Sequence, residues 1–339
     1  MKRQVSICLL LLTMALSAKA ALNYNNVTIG GLRYNLYGKT NTAIVLNGNT
    51  WEGELVIPEQ VRYANEIYIV DQIQSNAFLG CKTLTKVRIP KTVNDIVSAH
   101  VDGGVYKNPF CECTSLERIE VDEDNPSLCS VDGVLFNKDR TMMYAYPGGA
   151  RNESYTVPDG VIRLLGHTFS NNPYLTSVFL PNSVILIGSF SDIKSLSSVR
   201  LSENLEYVEA YAFENCESLH FLDIPESVKG FGEGVFRWTP FKTIVFRGTY
   251  PDGLRKDTFY CLNKSTVIYA QRSEIPKFQS VFSGTVLPLE DYTPDGIATQ
   301  TAVPDRGHQL FDLQGRRVSG QPRPGIYIGA DDKRKVMKK

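Results

Sequence analysis

Apolar residues recur in the middle of the chain with a period longer than that of a helix or a strand. Residues 212–225 read A-F-x-x-C-x-S-L-x-x-L-x-I-P, and related copies stand before and after them. Four phenylalanines, Phe190, Phe213, Phe236 and Phe259, follow one another at intervals of 23 residues. A fixed period of that size is typical of a solenoid, in which each coil buries its apolar face against its neighbours.

Each copy opens with a phenylalanine, and the residue three positions later is often cysteine or asparagine. We expect both positions to be structural, with the rings stacked in a buried column and the small polar residue packed in a turn. Ile193 breaks the polar pattern at the second position. The structural positions are Phe78, Cys81, Phe110, Cys113, Phe169, Asn172, Phe190, Phe213, Cys216, Phe236 and Phe259.

Each coil is predicted to have a short strand and a second apolar set on the other side of its core. After the phenylalanine, apolar and charged residues alternate, as in K-V-R-I at 86–89, which predicts a half-buried strand that Pro90 ends. A further apolar residue five positions before the phenylalanine closes the other side of the core. It is found at Ile73, Val208 and Phe231.

The side chains between the buried strand positions are predicted to point outward and to form one extended face. Solenoids use such faces for binding, and arginine and aromatic residues are enriched at binding hot spots. An ordinary mixed solvated face is the alternative, as is burial of Phe179 and Phe221 under the chain's own loops. The candidate binding residues are Lys86, Arg88, Arg118, Glu120, Phe179, Arg200, Phe221 and Asp223.

The segment before the repeats is predicted to cap them. Residues 21–65 hold short β-rich runs punctuated by glycine, with a hairpin signal at Asn47-Gly48. A solenoid leaves the apolar end of its first coil open unless a cap covers it. We therefore expect a β-rich cap at 21–65 and the solenoid at 66–292.

The C-terminal end of the solenoid is predicted to close with a short helix over residues 273–282. Ser273 is the expected N-cap, and Pro276 falls in the first turn, where a missing N–H is tolerated. A linker at 293–306, rich in Thr, Pro, Gly and Ala, follows the solenoid. Short apolar runs around glycine and proline then predict a small β tail at 307–339.

Residues 1–20 have the pattern of a cleaved secretory signal peptide. Two basic residues precede an apolar run, and A-K-A at 18–20 offers a cleavage site. A buried N-terminal helix is the alternative. Without these residues the chain has 33 Lys and Arg against 36 Asp and Glu, a net charge of −3, which gives no sign of a nucleic-acid or anionic-membrane partner.

Six cysteines follow the signal peptide, and three of them occupy the repeat position after the phenylalanine. We expect these three to be free thiols packed in turns. Cys111 and Cys129 lie off the repeat and close together in sequence. Because an exported protein meets an oxidising compartment, we hypothesise a disulfide between them.

The sequence shows no catalytic signature. It contains no G-x-S-x-G, H-E-x-x-H, phosphate-loop or dinucleotide pattern, although a carboxylate pair for glycoside hydrolysis forms only in three dimensions. The acidic run at 122–125 lacks the Gly and terminal Glu of a calcium loop and favours a solvated turn. The histidines favour coil or surface positions. We expect no enzyme, no metal and no cofactor.

Residues 67–270 resemble the BspA-type leucine-rich repeats of surface proteins from Bacteroides-like bacteria. The phenylalanine copies carry the resemblance, together with the block N-P-S-L-C-S-V-D-G-V-L-F-N-K-D at 125–139, which predicts a hairpin with its turn at 137–139. The resemblance implies a mainly β, right-handed leucine-rich-repeat solenoid with minor helix. The tail at 307–339 contains D-L-Q-G-R-R-V at 312–318, G-I-Y-I at 325–328 and K-V at 335–336. With these it resembles the C-terminal sorting domains of the type IX secretion route; a tail that carries no address is the alternative.

The resemblance implies a secreted or outer-surface protein that adheres to a host matrix protein, another cell or an epithelial surface. A carbohydrate-binding or glycan-active protein on the same scaffold is the second hypothesis. The presence of only two tryptophans, Trp51 and Trp238, weighs against it. A purely structural surface protein is the third hypothesis. We expect a monomer with no nucleic-acid partner and no transmembrane segment.

Overall fold

The residues that the computed structural model describes are, besides three strands towards the C-terminus, 22–97, 108–169, 171–259 and 261–294. The expected signal peptide lies outside these residues, as does most of the expected linker. The chain forms two compact units, one ending at Asp291 and the other starting at Tyr292.

The N-terminal segment is β-rich, as predicted, with strands β1 (Asn23–Ile29), β2 (Leu32–Tyr37), β3 (Thr42–Val45), β4 (Gly53–Val56), β5 (Gln60–Tyr63) and β6 (Glu66–Gln74). β1, β2 and β3 pair antiparallel in succession, β3 pairs parallel with β6, and β6 pairs antiparallel with β5. Tyr34 and Leu36 of β2 are fully buried in the same apolar cluster as Phe78 of the first coil. This sheet therefore covers the apolar end of the solenoid.

The hairpin prediction at Asn47-Gly48 is wrong. The strands on either side of it, β3 and β4, belong to different sheets. The Asn47 N–H donates to Oε1 of Gln74 at 3.0 Å, and Gly48 has a φ of 79°, so the dipeptide turns the chain out of the cap sheet. Gly30-Gly31 instead forms the tight hairpin turn between β1 and β2.

Beyond the cap, successive coils supply short strands to two faces. The front face consists of β4, β7 (Leu84–Ile89), β9 (Arg118–Val121), β13 (Ser154–Thr156), β15 (Ser177–Phe179), β17 (Ser198–Arg200), β19 (Phe221–Ile224), β21 (Thr243–Phe246), β22 (Val267–Ala270) and β23 (Thr285–Pro288). These strands pair parallel in the orders β4-β7-β9, β13-β15-β17 and β19-β21-β22-β23.

The back face consists of β6, β8 (Asp95–Val97), β12 (Met142–Ala145), β14 (Arg163–Leu164), β16 (Leu186–Ile187), β18 (Tyr207–Val208) and β20 (Gly230–Phe231). From β12 to β20 the neighbours pair parallel in chain order. Ile73, Val208 and Phe231, which stand five positions before a phenylalanine, are buried as predicted, and the structure places them on these strands.

The phenylalanines stack in a buried column, which confirms the expectation. The ring centroids of Phe169 and Phe190 are 5.4 Å apart with planes 5° from parallel, and those of Phe190 and Phe213 are 5.3 Å apart at 14°. The rings of Phe236 and Phe259 in the looser copies are 6.1 Å apart and tilted by 37°. Regular coil length therefore gives regular stacking.

Cysteines at the repeat position are buried thiols that link neighbouring coils, as expected of a turn position. Cys113 donates from Sγ to the carbonyl of Phe78 at 3.1 Å, and Cys216 donates to that of Phe190 at 3.0 Å. Thr239 stands at the same repeat position, and its hydroxyl donates to the carbonyl of Phe213. Burial raises the pKa of Cys216 to about 12, so the thiol is neutral at physiological pH.

The amide of Asn172 fills the same repeat position with four hydrogen bonds. Its Nδ2 donates to the carbonyls of Pro147 and Ala150 at 3.1 and 2.9 Å. Its Oδ1 accepts from the N–H groups of Tyr174 and Leu175, both at 2.9 Å. Asn172 is 1 % exposed, so water does not reach its amide, and these four hydrogen bonds satisfy the buried polar groups instead.

The hypothesised disulfide between Cys111 and Cys129 is wrong. Both residues are thiols among the described residues, and Cys129 donates from Sγ to the carbonyl of Asn137 at 3.2 Å. Cys111 is buried in a turn, whereas Cys129 is half-buried on a strand.

The block at 125–139 forms a pair of turns rather than one. β10 (Leu128–Val131) and β11 (Val134–Asn137) pair antiparallel across Asp132-Gly133, whose φ angles of 53° and 85° fit a two-residue hairpin turn. The predicted turn after Asn137 is confirmed, since β11 pairs antiparallel with β12 beyond it. Sequence spacing indicated only the second turn.

The closing helix α1 (Ile275–Val281) is shorter than predicted, and its N-cap is Glu274 rather than Ser273. The Ser273 hydroxyl contacts Oε1 of Glu274 at 3.4 Å instead of a backbone N–H. Pro276 falls in the first turn as predicted. A short 3₁₀ helix, η1 (Leu289–Asp291), follows β23.

The C-terminal unit contains a small antiparallel sheet. Its strands are β24 (Leu310–Phe311), β25 (Gly325–Gly329) and β26 (Lys335–Lys338), with β25 in the centre. Small strands were predicted for this tail, and the expected start of the tail at 307 lies outside the described residues.

Candidate functional site

The N-terminal part of the front face is an ion-pair network. Nζ of Lys86 on β7 lies 2.9 Å from Oε1 of Glu120 on β9. Nε of Arg88 lies 3.1 Å from Oε1 of Glu54 on β4 and 3.1 Å from Oε2 of Glu120. Arg118 lies 3.8 Å from Glu120. Parallel register brings these charges together, since Glu54 is opposite Lys86 and Arg88 is opposite Glu120.

This network satisfies its own charges. The hydrogen bond from Lys86 holds the pKa of Glu120 below its usual value, with further contributions from Arg88 and Arg118. Glu54 was not among the residues predicted from the sequence. Its β-rich surroundings indicated the cap, and nothing local in the sequence shows that β4 joins the front face.

A shallow open depression borders the network. It has a volume of about 670 Å³ and lies at the ends of β4, β7 and β9. Pro58 and Pro90 line it, as do the exposed residues 122–124. Asn125 next to them is buried and donates to the carbonyls of Pro90 and Val93 at 2.9 and 2.8 Å. The acidic run therefore forms a solvated turn that Asn125 fastens to the previous coil.

In the middle of the front face, the prediction that Phe179 is exposed is wrong. That side chain is only 9 % exposed. It lies in register between Thr156 on β13 and Arg200 on β17. Among the two candidates on this part of the face, Arg200 is exposed and Phe179 is not. Alternation along one strand fixes the side of the sheet, but the neighbouring strands decide what covers it.

The C-terminal part of the front face joins aromatic and charged side chains. Phe221 and Asp223 on β19 are half-buried. Arg247, which follows β21, donates from Nε and from its terminal guanidinium to both oxygens of Asp223 at 2.7 and 2.6 Å. Val245 lies in register between Asp223 and Tyr269 and is completely buried. This arrangement is a half-apolar surface with one bidentate ion pair, which suits recognition of a protein.

Arg247 and Tyr269 were missed by the sequence prediction. They stand in the looser copies, where the spacing from the phenylalanine is no guide. The β-branched and aromatic residues of T-I-V-F at 243–246 and V-I-Y-A at 267–270 are the signal that indicates both strands.

The two histidines that the structure describes, His167 and His220, lie between strands, as expected, whereas His100 and His308 lie outside the described residues. His167 shares a hydrogen bond of 2.7 Å between its Nδ1 and the Ser191 hydroxyl, and His220 contacts the carbonyl of Pro240 at 3.0 Å. In the part of the chain that the structure describes, no three His, Cys, Asp or Glu side chains are grouped to hold a metal ion. No helix among the described residues is both long and apolar enough to cross a membrane.

Several solved structures match this chain. Pneumococcal vaccine antigen PcpA is 18 % identical, with 80 % of this chain and 99 % of that chain covered, at a TM-score of 0.47. A leucine-rich cell surface protein from Faecalibacterium prausnitzii is 18 % identical, with 80 % and 100 % covered, at 0.43. A leucine-rich repeat protein from Bacteroides ovatus is 19 % identical, with 72 % and 70 % covered, at 0.33. No curated protein sequence matches the chain.

The repeats themselves match a known family. Six copies of the BspA type leucine rich repeat region are found, at residues 63–127 and 142–282, which is more than half of the chain. The gap between the two matched ranges contains β10 and β11, the strands of the first hairpin in the block at 125–139. The chain therefore belongs to the BspA-type leucine-rich repeat family.

Proposed function

We propose that this chain is a secreted or cell-surface adhesion protein whose front face binds a protein ligand, either a host matrix protein or a protein on another cell. Proteins of the BspA-like family are typically found at the cell surface or secreted. The observation that carries the proposal is the C-terminal part of the front face, where Phe221, Tyr269 and the Asp223–Arg247 pair share one sheet.

The two ends of the front face differ in what binding costs. Around Glu120 the charges already pair with one another, and desolvating such a network for a partner is expensive. Around Phe221 the surface offers apolar area together with one bidentate ion pair, so a partner there desolvates two charged side chains instead of the larger network around Glu120. We place the centre of the binding site at Phe221 and Arg247, with Arg88, Arg118 and Arg200 at its periphery.

A binding assay with paired variants tests the site. The purified chain is passed over a panel of immobilised extracellular-matrix proteins, and saturable binding to at least one is expected. The double variant Phe221→Ser, Arg247→Ser should weaken that binding at least about tenfold, since hot-spot residues cost upwards of about 2 kcal/mol.

The matched control removes another exposed ion pair outside the front-face strands. Lys194 and Glu217 lie 2.7 Å apart, and changing both to serine should leave binding unchanged. Equal loss in both double variants, with both still folded, would contradict the proposed site.

A glycan ligand is the second candidate, and Trp238 is the observation in its favour. Its side chain is 55 % exposed, and the Arg237 guanidinium lies 3.9 Å from the centre of the indole ring. Binding on a glycan array that Trp238→Ala abolishes would support this candidate over a protein ligand. We propose binding without catalysis in either case, and turnover of any polysaccharide by the purified chain would contradict that.

Export is proposed to use both ends of the chain. Residues 1–20 act as the cleaved signal peptide, and the tail from 307 acts as a type IX sorting signal. In a bacterium that possesses this route, removal of 307–339 should leave the protein in the periplasm with its N-terminus at residue 21. Surface display without the tail would refute the sorting role alone.

A further inference from the structure

The back face carries an exposed apolar patch that stacking of the coils does not require. Ile162 and Ile185 are 38 % and 39 % exposed, and Tyr207 is 41 % exposed. Leu186 on β16 is half-buried and lies in register between Arg163 on β14 and Tyr207 on β18. These four side chains, which we call the back patch, therefore span three neighbouring strands.

Comparison of equivalent repeat positions shows that the fold does not require an apolar residue where Ile162 and Ile185 stand. Backbone hydrogen bonds run from Ile185 N to Ile162 O, from Glu206 N to Ile185 O and from Lys229 N to Glu206 O, at 2.8–2.9 Å. The four residues thus occupy one position in successive coils. In the later coils that position holds an ion pair, with Lys229 and Glu206 2.8 Å apart. The fold accepts charge there, yet two coils expose isoleucine instead.

Opposite charges stand on either side of the back patch. Arg163 on β14 is exposed, and Glu209, directly after β18, is half-buried. The Glu209 carboxylate lies over Gly188, since a Cβ added there would be 2.2 Å from Oε2. Burial raises the pKa of Glu209, and the charge of Arg163 opposes that rise. Within the described ranges neither side chain has an ion-pair partner within 4 Å.

The ring of Tyr207 is held flat beside these charges. A Cβ added at Gly230, its partner in register on β20, would lie 3.0 Å from Cε2 of the ring. Glycine at this position therefore lets the ring lie on the sheet. The result is a level surface whose centre is Leu186 and whose two edges have opposite charge.

We propose that the back patch binds a second copy of this chain, face to face, about a two-fold axis that runs along β16. Such an axis lays β14 of each copy over β18 of its partner. Since strands in a sheet are about 4.8 Å apart, Arg163 then faces the Tyr207 ring and reaches Glu209 of the other copy. Ile185 and Leu186 meet their own counterparts on the axis, as a two-fold interface requires.

Charge complementarity selects a second copy over a foreign protein. Among the described residues, Arg163 on β14 has no ion-pair partner, and the Glu209 carboxylate directly after β18 has no hydrogen-bond donor. A two-fold operation brings Arg163 of each copy to Glu209 of the other, so these two charges are complementary between the copies. The same operation lays Ile162 over Glu206 of the other copy, whose carboxylate stays paired with Lys229. This assembly replaces the expectation of a monomer, and it leaves the front face of both copies open.

Analytical ultracentrifugation of charge-exchanged variants tests the assembly. The native chain is expected to sediment as a dimer at concentrations of tens of micromolar. Arg163→Glu and Glu209→Arg are each expected to weaken self-association by at least roughly 30-fold, because each leaves like charges facing at both contacts. A one-to-one mixture of these two variants is expected to restore the dimer, since all four facing charges are then opposite.

The mixture also removes the ambiguity of misfolding, because an unfolded variant would not restore association. Ile185→Asp serves as a second route, since the residue is exposed and its charged equivalents Glu206 and Lys229 are tolerated. It should give a monomer whose melting temperature equals that of the native chain at concentrations too low for dimer formation. A native chain that is monomeric up to about 200 µM overturns the proposal, as does a mixture that stays monomeric.

Discussion

The thiol of Cys216 donates a hydrogen bond to the backbone carbonyl of Phe190, one coil earlier in the chain, at 3.0 Å. Thr239 makes the equivalent contact one coil later, with the carbonyl of Phe213. In these two coils the residue three positions after the phenylalanine therefore supplies a hydrogen-bond donor, which Ile193 at the same position of the coil before them lacks. The donor, rather than the sulfur atom, links one coil to the next.

Threonine and valine at position 216 should separate the hydrogen bond from the packing. Cys216→Thr keeps a donor of the kind that Thr239 supplies, whereas Cys216→Val has the same shape without one. The carbonyl of Phe190 then loses its donor in a buried site, which costs about 1–3 kcal/mol. Urea denaturation should show the valine variant less stable than the threonine variant by that amount. Equal free energies of unfolding would mean that the contact contributes no stability.

The thiols should differ in reactivity according to burial. Burial raises the pKa of Cys81, Cys113 and Cys216, so these groups are neutral thiols at pH 8 and also inaccessible. Iodoacetamide should label Cys129 and Cys261, which are half-exposed, before the other three. Labelling of these three, and of Cys111, which is also buried, should require denaturant. Mass spectrometry that finds Cys111 and Cys129 joined after export would contradict the structure directly.

Asn172 should be sensitive to loss of its amide donors. In Asn172→Asp, a carboxylate faces the carbonyls of Pro147 and Ala150 in place of the Nδ2 group. We expect the free energy of unfolding to fall by about 2–4 kcal/mol, because two buried carbonyl oxygens lose their donor and face a negatively charged group. The exposed Asn152→Asp is the control and should be near neutral. A loss in both variants of similar size would indicate a general effect of charge.

Acid should weaken the ion-pair network of the front face. The pKa of Glu120 is lowered in the folded protein. The carboxylate therefore stabilises the fold at pH values above its pKa in the unfolded chain, and this stabilisation is lost as the pH falls through its pKa in the folded protein. Glu120→Gln should therefore reduce stability at pH 7 and have no effect at pH 2. Because the group is partly exposed, the difference should be small and should shrink in 1 M salt. A difference that persisted at pH 2 would point to packing instead.

The parts of the fold that depend on local repetition could be predicted from the sequence. Phe190, Phe213 and Cys216 recur at fixed spacing because each coil meets the next in the same way. The hairpin prediction at Asn47-Gly48 failed because an Asn-Gly turn has the same sequence whether or not the strands on either side of it pair with each other. The N-cap at Glu274 was missed because its carboxylate binds the Tyr250 N–H, 24 residues away, at 3.1 Å.

The candidate site was less predictable because it depends on neighbouring strands. Phe179 was expected on the surface, and its burial is decided by coils that precede and follow it. The Asp223–Arg247 pair joins residues 24 positions apart, in a copy whose spacing is irregular. Ile162 and Ile185 escaped notice because two-residue strands such as β14 and β16 are too short to show alternation.

The most direct test of the front-face proposal is hydrogen–deuterium exchange of the chain with and without its protein ligand from the matrix panel. Backbone amides of β19, β21 and β22 are predicted to gain protection on binding, while those of β14, β16 and β18 on the back face keep the exchange rates of the unliganded protein. Ligand-dependent protection confined to the back face, or to the turns between the faces, would contradict the assignment of the front face as the binding surface.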